Sequence, residues 1–103
     1  SMKEKVIKKK IKKKLDLYLK LIIKFIESED GDSGESIREA LNDLTRYKQT
    51  IMNNYRIYLD EKYIALLMKK ISLIEHELQM KLLVREYNNQ MYYEDENTNR
   101  RTR

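Results

Sequence analysis

The chain contains no cysteine and no proline, and its only glycines among 103 residues are Gly31 and Gly34. Without cysteine there is no disulfide, no thiolate metal site and no cysteine nucleophile. Without proline, and with both glycines in one short stretch, few positions interrupt a helix or force a tight turn. Runs of alternating β-branched residues, which are typical of strands, are missing as well. The composition therefore predicts an all-α protein made of long helices.

Motifs that carry chemistry are equally scarce. The single histidine, His76, lies between Glu75 and Glu77. Neighbours in sequence do not share a helix face, so this spacing does not form a metal site, and we expect His76 to be exposed. There is no glycine-rich phosphate loop, no nucleophile motif and no paired-carboxylate pattern. A chain of this length also has little room for a cleft-bearing core. We expect a non-enzymatic protein with no catalytic residues, no metal and no cofactor.

Long hydrophobic runs are absent too. The most apolar stretch, Leu15 to Ile26, is too short for a membrane span and is interrupted by Asp16, Lys20 and Lys24. No small-residue cleavage site follows it, as a signal peptide would require. The sequence therefore predicts a soluble, intracellular protein.

What the chain does have is a segregated charge. Eight lysines lie between Lys3 and Lys14, and residues 1–26 carry ten lysines against two acids, a balance of +8. Residues 27–103 hold twelve basic and fifteen acidic residues, a balance of −3, which gives the formal net charge of +5. A basic segment attached to a mildly acidic body indicates an acidic partner.

Apolar residues spaced by threes and fours predict three helices, at about 3–27, 36–59 and 61–87. Their stripes are Ile7, Ile11, Leu15, Tyr18, Ile22 and Phe25; Ile37, Leu41, Leu44, Ile51, Tyr55 and Tyr58; and Ile64, Leu67, Ile71, Ile74, Leu78 and Leu82. Residues 28–35 form a predicted acidic loop, and Ser36 to Glu39 fits a capping box at the start of the second helix. Residues 88–103 offer nothing to bury, so we expect a flexible tail.

The second and third stripes are out of register near Leu59 to Lys62. This favours a tight turn with Asp60 as the cap, although one long bent helix stays open because no Gly or Pro enforces the turn. Residues 2–87 then form a single domain, a three-helix bundle built from a basic N-terminal helix and an antiparallel helical hairpin, or a related coiled coil. Helix 1 has a surplus of apolar positions, so we expect oligomerisation to complete the bundle, with self-association through Tyr18, Ile22 and Phe25.

Three functions fit this architecture. The first is a helical protein–protein interaction or assembly module, as a homo-oligomer or with a helical partner, whose lysine-rich arm binds an acidic partner. The alternative is a sequence-tolerant nucleic-acid-binding protein, since lysines contact phosphates without reading bases. A third is peripheral binding to an anionic membrane through the basic amphipathic first helix. The candidate polyanion-binding residues are Lys8, Lys9, Lys10, Lys12, Lys13, Lys14, Arg46 and Arg56.

Tyrosines interleaved with arginines are a second nucleic-acid signal. Tyr47 follows Arg46, and Arg56 lies between Tyr55 and Tyr58, an arrangement in which bases stack on the rings while phosphates pair with the cations. However, these tyrosines fall on or beside the second stripe. We therefore favour packing at the edge of the core, with the hydroxyl groups in water.

Overall fold

The computed structural model describes residues 1–28 and 33–102, with side chains up to residue 98. Helix α1 spans Met2–Glu27, α2 spans Gly34–Thr50 and α3 spans Glu61–Thr102. A π-helical turn, Ile51–Tyr55, and a 3-10 turn, Arg56–Tyr58, lead from α2 towards α3. The described residues include no strand, so the all-α prediction is confirmed for this part of the chain. No helix in this part is both long and apolar enough to cross a membrane.

Helices α2 and α3 form an antiparallel hairpin. The ammonium of Lys48 lies 2.9 Å from a carboxylate oxygen of Glu75, and Arg38 donates to Glu86 at 3.1 Å. The pair nearer the end of α2, Lys48 with Glu75, lies nearer the start of α3, so the two helices run in opposite directions. The chain reverses at Leu59 and Asp60. The prediction of a tight turn instead of one long bent helix is confirmed.

Helix α1 packs antiparallel to α2 and completes the three-helix arrangement. The hydroxyl of Tyr47 donates to the Leu15 carbonyl at 2.8 Å. Above this bond the Tyr18 ring stacks on the Tyr47 ring, with centroids 5.3 Å apart and planes 6° from parallel. The burial of Tyr47 confirms that it packs in the core, but its hydroxyl is bonded to the backbone and not to water.

The core consists of apolar side chains from all three helices and the turn between α2 and α3. Its members among the described residues are Ile11, Leu15, Leu19, Ile22, Ile37, Ala40, Leu44, Tyr47, Ile51, Leu59, Leu67, Ile71 and Leu78. Most of them belong to the predicted stripes. Among the predicted stripe residues, most of the others are buried or packed against the core, but Tyr18 and Tyr58 are 46% and 44% exposed, and their sequence neighbours Leu19 and Leu59 are buried in their place.

Helix α2 begins two residues earlier than predicted. Its cap is Ser33, whose hydroxyl accepts the backbone N–H of Ser36 at 3.0 Å, so the expected capping box starting at Ser36 is wrong. The earlier start places Glu35 in the first turn, where its negative charge meets the positive end of the helix dipole. Of the predicted acidic loop, residues 29–32 lie outside the described residues.

Asp60 occupies the first position before α3, as predicted, but its side chain has another task. The backbone carbonyl of Asp60 accepts the N–H of Ile64 at 3.0 Å, which begins the helix. Its carboxylate binds the ammonium of Lys8, 2.8 Å away. Asp60 is therefore the cap residue of α3, as predicted, and its side chain in addition joins α1 to the hairpin turn.

Helix α3 is much longer than predicted. It continues to Thr102, whereas the sequence places its end near residue 87. Because α2 begins beside Leu82 of α3, the last turns of α3 extend beyond α2, and the molecule measures 78 × 22 × 17 Å. No Gly or Pro interrupts these turns, and the Gln90 side chain bonds to Glu94 one turn later. The flexibility expected for residues 88–103 stays a prediction.

Candidate polyanion-binding surface

The lysine-rich segment is an ordered part of α1. Ser1 caps the helix, since its hydroxyl accepts the backbone N–H of Glu4 at 3.3 Å. Ile11 and Leu15 are buried in the core and fix one face of the segment on the bundle. The lysines are thereby distributed around the remaining circumference, and they fall into an inner and an outer group.

Lys8 belongs to the inner group. Its hydrogen bond and positive charge lower the pKa of the Asp60 carboxyl below its ordinary value. Both side chains are partly exposed, 39% for Lys8 and 61% for Asp60, so water screens the pair and its contribution to stability is small. Its value to the site is geometric, because it holds the basic end of α1 against the turn between α2 and α3.

Two further lysines of the inner group lie over aromatic rings. The Lys12 ammonium is 4.8 Å from the centroid of the Tyr63 ring, and the Lys14 ammonium is 5.8 Å from that of Tyr55. Each cation is attracted by the negative face of the ring below it, which contributes about 0.5–1 kcal/mol at exposed sites. These contacts also cover the two rings, so the rings are less accessible to a base.

Tyr63 also connects α3 to α1 through its hydroxyl, which donates to a carboxylate oxygen of Asp16 at 3.1 Å. Burial, the hydrogen bond and the negative charge of Asp16 disfavour the phenolate and raise the pKa of Tyr63 to about 12. Burial likewise raises the pKa of Tyr47 well above its ordinary value. Both tyrosines therefore stay neutral, and donate, throughout the physiological pH range.

The outer group of lysines points into solvent. We call it the outer lysine face; its members are Lys3, Lys5, Lys9, Lys10 and Lys13. Within the described part of the chain these five residues form no ion pair. Lys5, Lys9 and Lys13 follow one another at intervals of four residues, and like charges one turn apart destabilise a helix by about 0.2–0.5 kcal/mol per pair. Among the residues that the structure describes, the outer lysine face is therefore a concentration of positive charge without a bound acid.

The structure thus divides the eight predicted polyanion-binding residues. Lys9, Lys10 and Lys13 belong to the outer lysine face, whereas Lys8, Lys12 and Lys14 make the contacts just described. Arg46 is paired with Asp43 on α2, and Arg56 is exposed in the 3-10 turn. The prediction missed Lys3 and Lys5, although the repeated spacing of four from Lys5 to Lys13 is a signal in the sequence.

The residues predicted to mediate self-association are largely occupied within one chain. Ile22 is 7% exposed in the core, and Phe25 is half-buried against it. Tyr18 has one face on Tyr47 and is otherwise open to solvent. Their role in self-association stays a prediction.

A second exposed surface, which the sequence prediction missed, lies on α3. It is a row of apolar side chains, here called the α3 seam, consisting of Leu66, Leu73, Met80, Val84, Tyr87 and Met91, each 39–68% exposed. Four of them, Leu66, Leu73, Met80 and Tyr87, repeat every seven residues, the signal by which the seam could have been found. Beside its start, Asp16, Tyr63, Lys70 and the side chains of Leu66 and Leu73 line a groove of about 320 Å³.

Other kinds of site find little support in the described residues. No group of three His, Asp or Glu side chains in that part is placed to hold a metal ion, and His76 is exposed, as predicted. No protein-family model, no curated protein and no solved structure matches the chain.

Proposed function

We propose that this protein is a non-enzymatic helical interaction module that binds an acidic partner protein on the outer lysine face. The observation that carries the proposal is the state of these five lysines. They lie on a helix that is fixed to the bundle, and they form no ion pair within the described residues.

The spacing of the lysines supports this proposal, because their mutual repulsion destabilises α1 in the isolated chain. Repulsion between Lys5, Lys9 and Lys13 works against α1, and nearby acids such as Asp60 and Asp16 are already engaged by Lys8 and Tyr63. Departures from local optimisation of this kind are expected at functional sites. A partner that places carboxylates along the outer face would remove the repulsion and replace it with attraction.

An acidic protein is favoured over a single-stranded nucleic acid because three of the tyrosine rings near the lysines are occupied, which leaves the ring of Tyr58, 44% exposed, open to a base. Tyr47 is 2% exposed, and the rings of Tyr55 and Tyr63 lie under lysine side chains. Stacking of bases on such rings supplies much of the affinity in single-strand binding. Membrane-surface binding has less support, since the apolar stripe of α1 faces the core at Ile11 and Leu15, which leaves only a few exposed apolar residues, Leu17 and Leu21 among them, to enter a bilayer.

Duplex nucleic acid is the second candidate, and the position of Arg56 favours it. Lys14 lies over the ring of Tyr55, so the exposed Arg56 next in sequence carries the basic surface from α1 onto the turn. Backbone phosphates need only such an extended basic surface, without stacking or base contacts.

The test is fluorescence anisotropy of three labelled probes: a short poly-glutamate peptide, a DNA duplex and anionic lipid vesicles, each between about 50 and 200 mM salt. One variant carries Lys5→Gln, Lys9→Gln, Lys10→Gln and Lys13→Gln. A matched control removes the same number of charges elsewhere, with Lys20→Gln, Lys24→Gln, Lys62→Gln and Lys81→Gln. All eight lysines are exposed.

The wild type is expected to bind poly-glutamate, and more weakly as salt rises. The outer-face variant should bind about tenfold more weakly, because four exposed ion pairs at a few tenths of a kcal/mol each amount to that factor. The control should change much less. Equal losses in both variants would overturn the proposal, since binding would then follow net charge alone. Binding confined to the duplex would favour the second candidate.

A further inference from the structure

The proposed function uses the outer lysine face and gives no role to the α3 seam. The α3 seam starts on the bundle at Leu66 and ends at Met91, beyond the point where α2 begins. It lies on a different side of α3 from the buried Leu67, Ile71 and Leu78, so it is not an incompletely covered part of the core. A row of apolar residues repeating every seven positions is the pattern by which one helix packs along another.

We propose that the α3 seam binds the α3 seam of a second copy of this chain, with the two helices antiparallel. The two-fold axis passes between Leu78 and Gln79, the midpoint of the seam. Leu66 then lies opposite Met91 of the second copy, and Leu73 lies opposite Val84. The proposal does not rest on the proposed function, because it uses a different helix face.

The charges along α3 select the antiparallel orientation. The start of the helix carries exposed lysines at positions 62, 69 and 70, and its far end carries the exposed Glu94 and Asp95. In a parallel pair each of these groups would lie beside its own copy, and like charges would repel at both ends. In the antiparallel pair Lys62 comes level with Asp95 of the second copy. Complementary potentials of this kind fix the register and orientation of an interface.

The groove beside the start of the seam supports the same register. With the two-fold axis at the seam midpoint, Lys70 lies opposite Tyr87 of the second copy. Lys70, Leu66 and Leu73 line the groove of about 320 Å³, so the tyrosine ring would enter it as a knob enters a hole. Tyr87 is 62% exposed in the single chain. The groove therefore lies where this register places Tyr87 of the second copy.

The first experiment measures association by sedimentation equilibrium of the full chain over a wide concentration range. The wild type is expected to form dimers, and Leu73→Glu or Met80→Glu should weaken dimerisation at least about 100-fold. Leu73→Glu buries an unpaired charge twice in the dimer, and Met80→Glu places a second carboxylate against Glu77 of the second copy, which lies opposite residue 80 in this register. The matched control is Leu17→Glu on α1. Leu17 is 59% exposed and Leu73 is 61% exposed, so both substitutions should leave the fold intact, which circular dichroism checks.

A monomeric wild type at every concentration would overturn the proposal. So would a dimer that Leu17→Glu weakens as much as Leu73→Glu does, because the interface would then lie elsewhere.

The second experiment tests orientation, and the absence of cysteine in the chain makes it clean. Leu66→Cys and Met91→Cys are prepared as separate variants, mixed, and oxidised with glutathione disulfide. The antiparallel register predicts a disulfide between the two variants in the mixture and very little when either is oxidised alone. A disulfide that joins Leu66→Cys to itself would overturn the antiparallel arrangement, and so would the absence of any cross-link.

Discussion

The molecule has two polar helical ends, and they are held very differently. One is the lysine-rich segment of α1, from Lys3 to Lys14; the other is the end of α3 from Tyr87 to Thr98, here called the α3 extension. Both are mostly exposed. The α1 segment is fixed to the bundle by the buried Ile11 and by the contacts of Lys8, Lys12 and Lys14. The apolar side chains of the α3 extension, Tyr87 and Met91 among them, lie outside the core.

Charge density does not decide whether a helical segment of this protein packs. The α1 segment has the greater charge repulsion, yet it is docked, because isoleucines at positions 7 and 11 continue the stripe that Leu15 and Ile22 begin. The α3 extension has larger apolar side chains, but they lie on a face that meets neither α1 nor α2. What matters is both that the apolar positions stay in phase with the core and that a neighbouring helix lies beside them. Tyr92 continues the seven-residue spacing of Ile71 and Leu78 but is 64% exposed, because α3 extends there beyond the start of α2.

Shortening a core side chain of α1 should have the largest effect, because it removes contacts that hold this helix on the bundle. Leu15 is 3% exposed, so Leu15→Ala removes core contacts and should lower the free energy of unfolding by about 2–5 kcal/mol. Leu17→Ala, on the same helix but at a residue 59% exposed, should change it by less than about 0.5 kcal/mol. Urea denaturation followed by circular dichroism measures both. Similar losses for the two variants would contradict the docked position of α1.

The α3 extension and the lysine-rich segment of α1 should also differ in local stability. A helix without packing is marginal in water, so backbone amides of residues 92–98 should exchange with solvent at least about 100-fold faster than those of residues 11–19. The measurement is hydrogen exchange by NMR, at a concentration where the chain is monomeric. Protection of the α3 extension that equals that of α1 would show that the two ends do not differ as described.

The turn between α2 and α3 could be predicted from the sequence in part. The shift of register near Leu59 predicts the chain reversal, and Glu61 begins α3 where the stripe places it. The π-helical turn Ile51–Tyr55 was not predictable from a period of 3.6, because it adds a residue to one turn. Leu59, which follows the 3-10 turn in an extended conformation, is buried, whereas the sequence places Tyr58 in the core.

The candidate surfaces could likewise be predicted from the sequence only in part. The lysine cluster could be predicted from composition alone, since residues 1–26 hold ten of the lysines. Which lysines stay available could not, because Lys8 is separated in sequence from its partner Asp60 by 52 residues. The α3 seam was present in the spacing of Leu66, Leu73 and Met80, but a second apolar row on one helix stands out only when the first is known to face the core.

A smaller effect concerns the tyrosines that connect α1 to its neighbours. In the folded protein the pKa of Tyr63 is raised to about 12, above the unfolded value of about 10. Stability from this group is therefore fully present below about pH 10 and is lost as pH rises towards 12. Urea midpoints measured on both sides of pH 10 should fall less steeply for Tyr63→Phe than for the wild type. Identical slopes for the two proteins would contradict the raised pKa of Tyr63. The lysines that titrate in the same pH range are the same in both proteins, so they do not contribute to the difference between the slopes.

The smallest expected effect is the pair between Lys8 and Asp60, which closes the basic end of α1 onto the turn. The lowered pKa of Asp60 means that its contribution is present above the ordinary pKa and is lost as pH falls through the folded value. A double-mutant cycle with Lys8→Met and Asp60→Asn isolates the coupling. Because both groups are partly exposed, 1 M salt should nearly abolish it, with a Debye length of about 3 Å.

The matched control is the pair between Lys48 and Glu75, whose side chains are 35% and 16% exposed, measured by a cycle with Lys48→Met and Glu75→Gln. Its coupling should be larger and less sensitive to salt, because partly buried charges are screened less. A Lys8–Asp60 coupling that exceeds the control and resists salt would mean that electrostatic pairing contributes substantially to the docking of α1. The apolar stripe would then no longer be sufficient to explain why the two ends of the molecule differ.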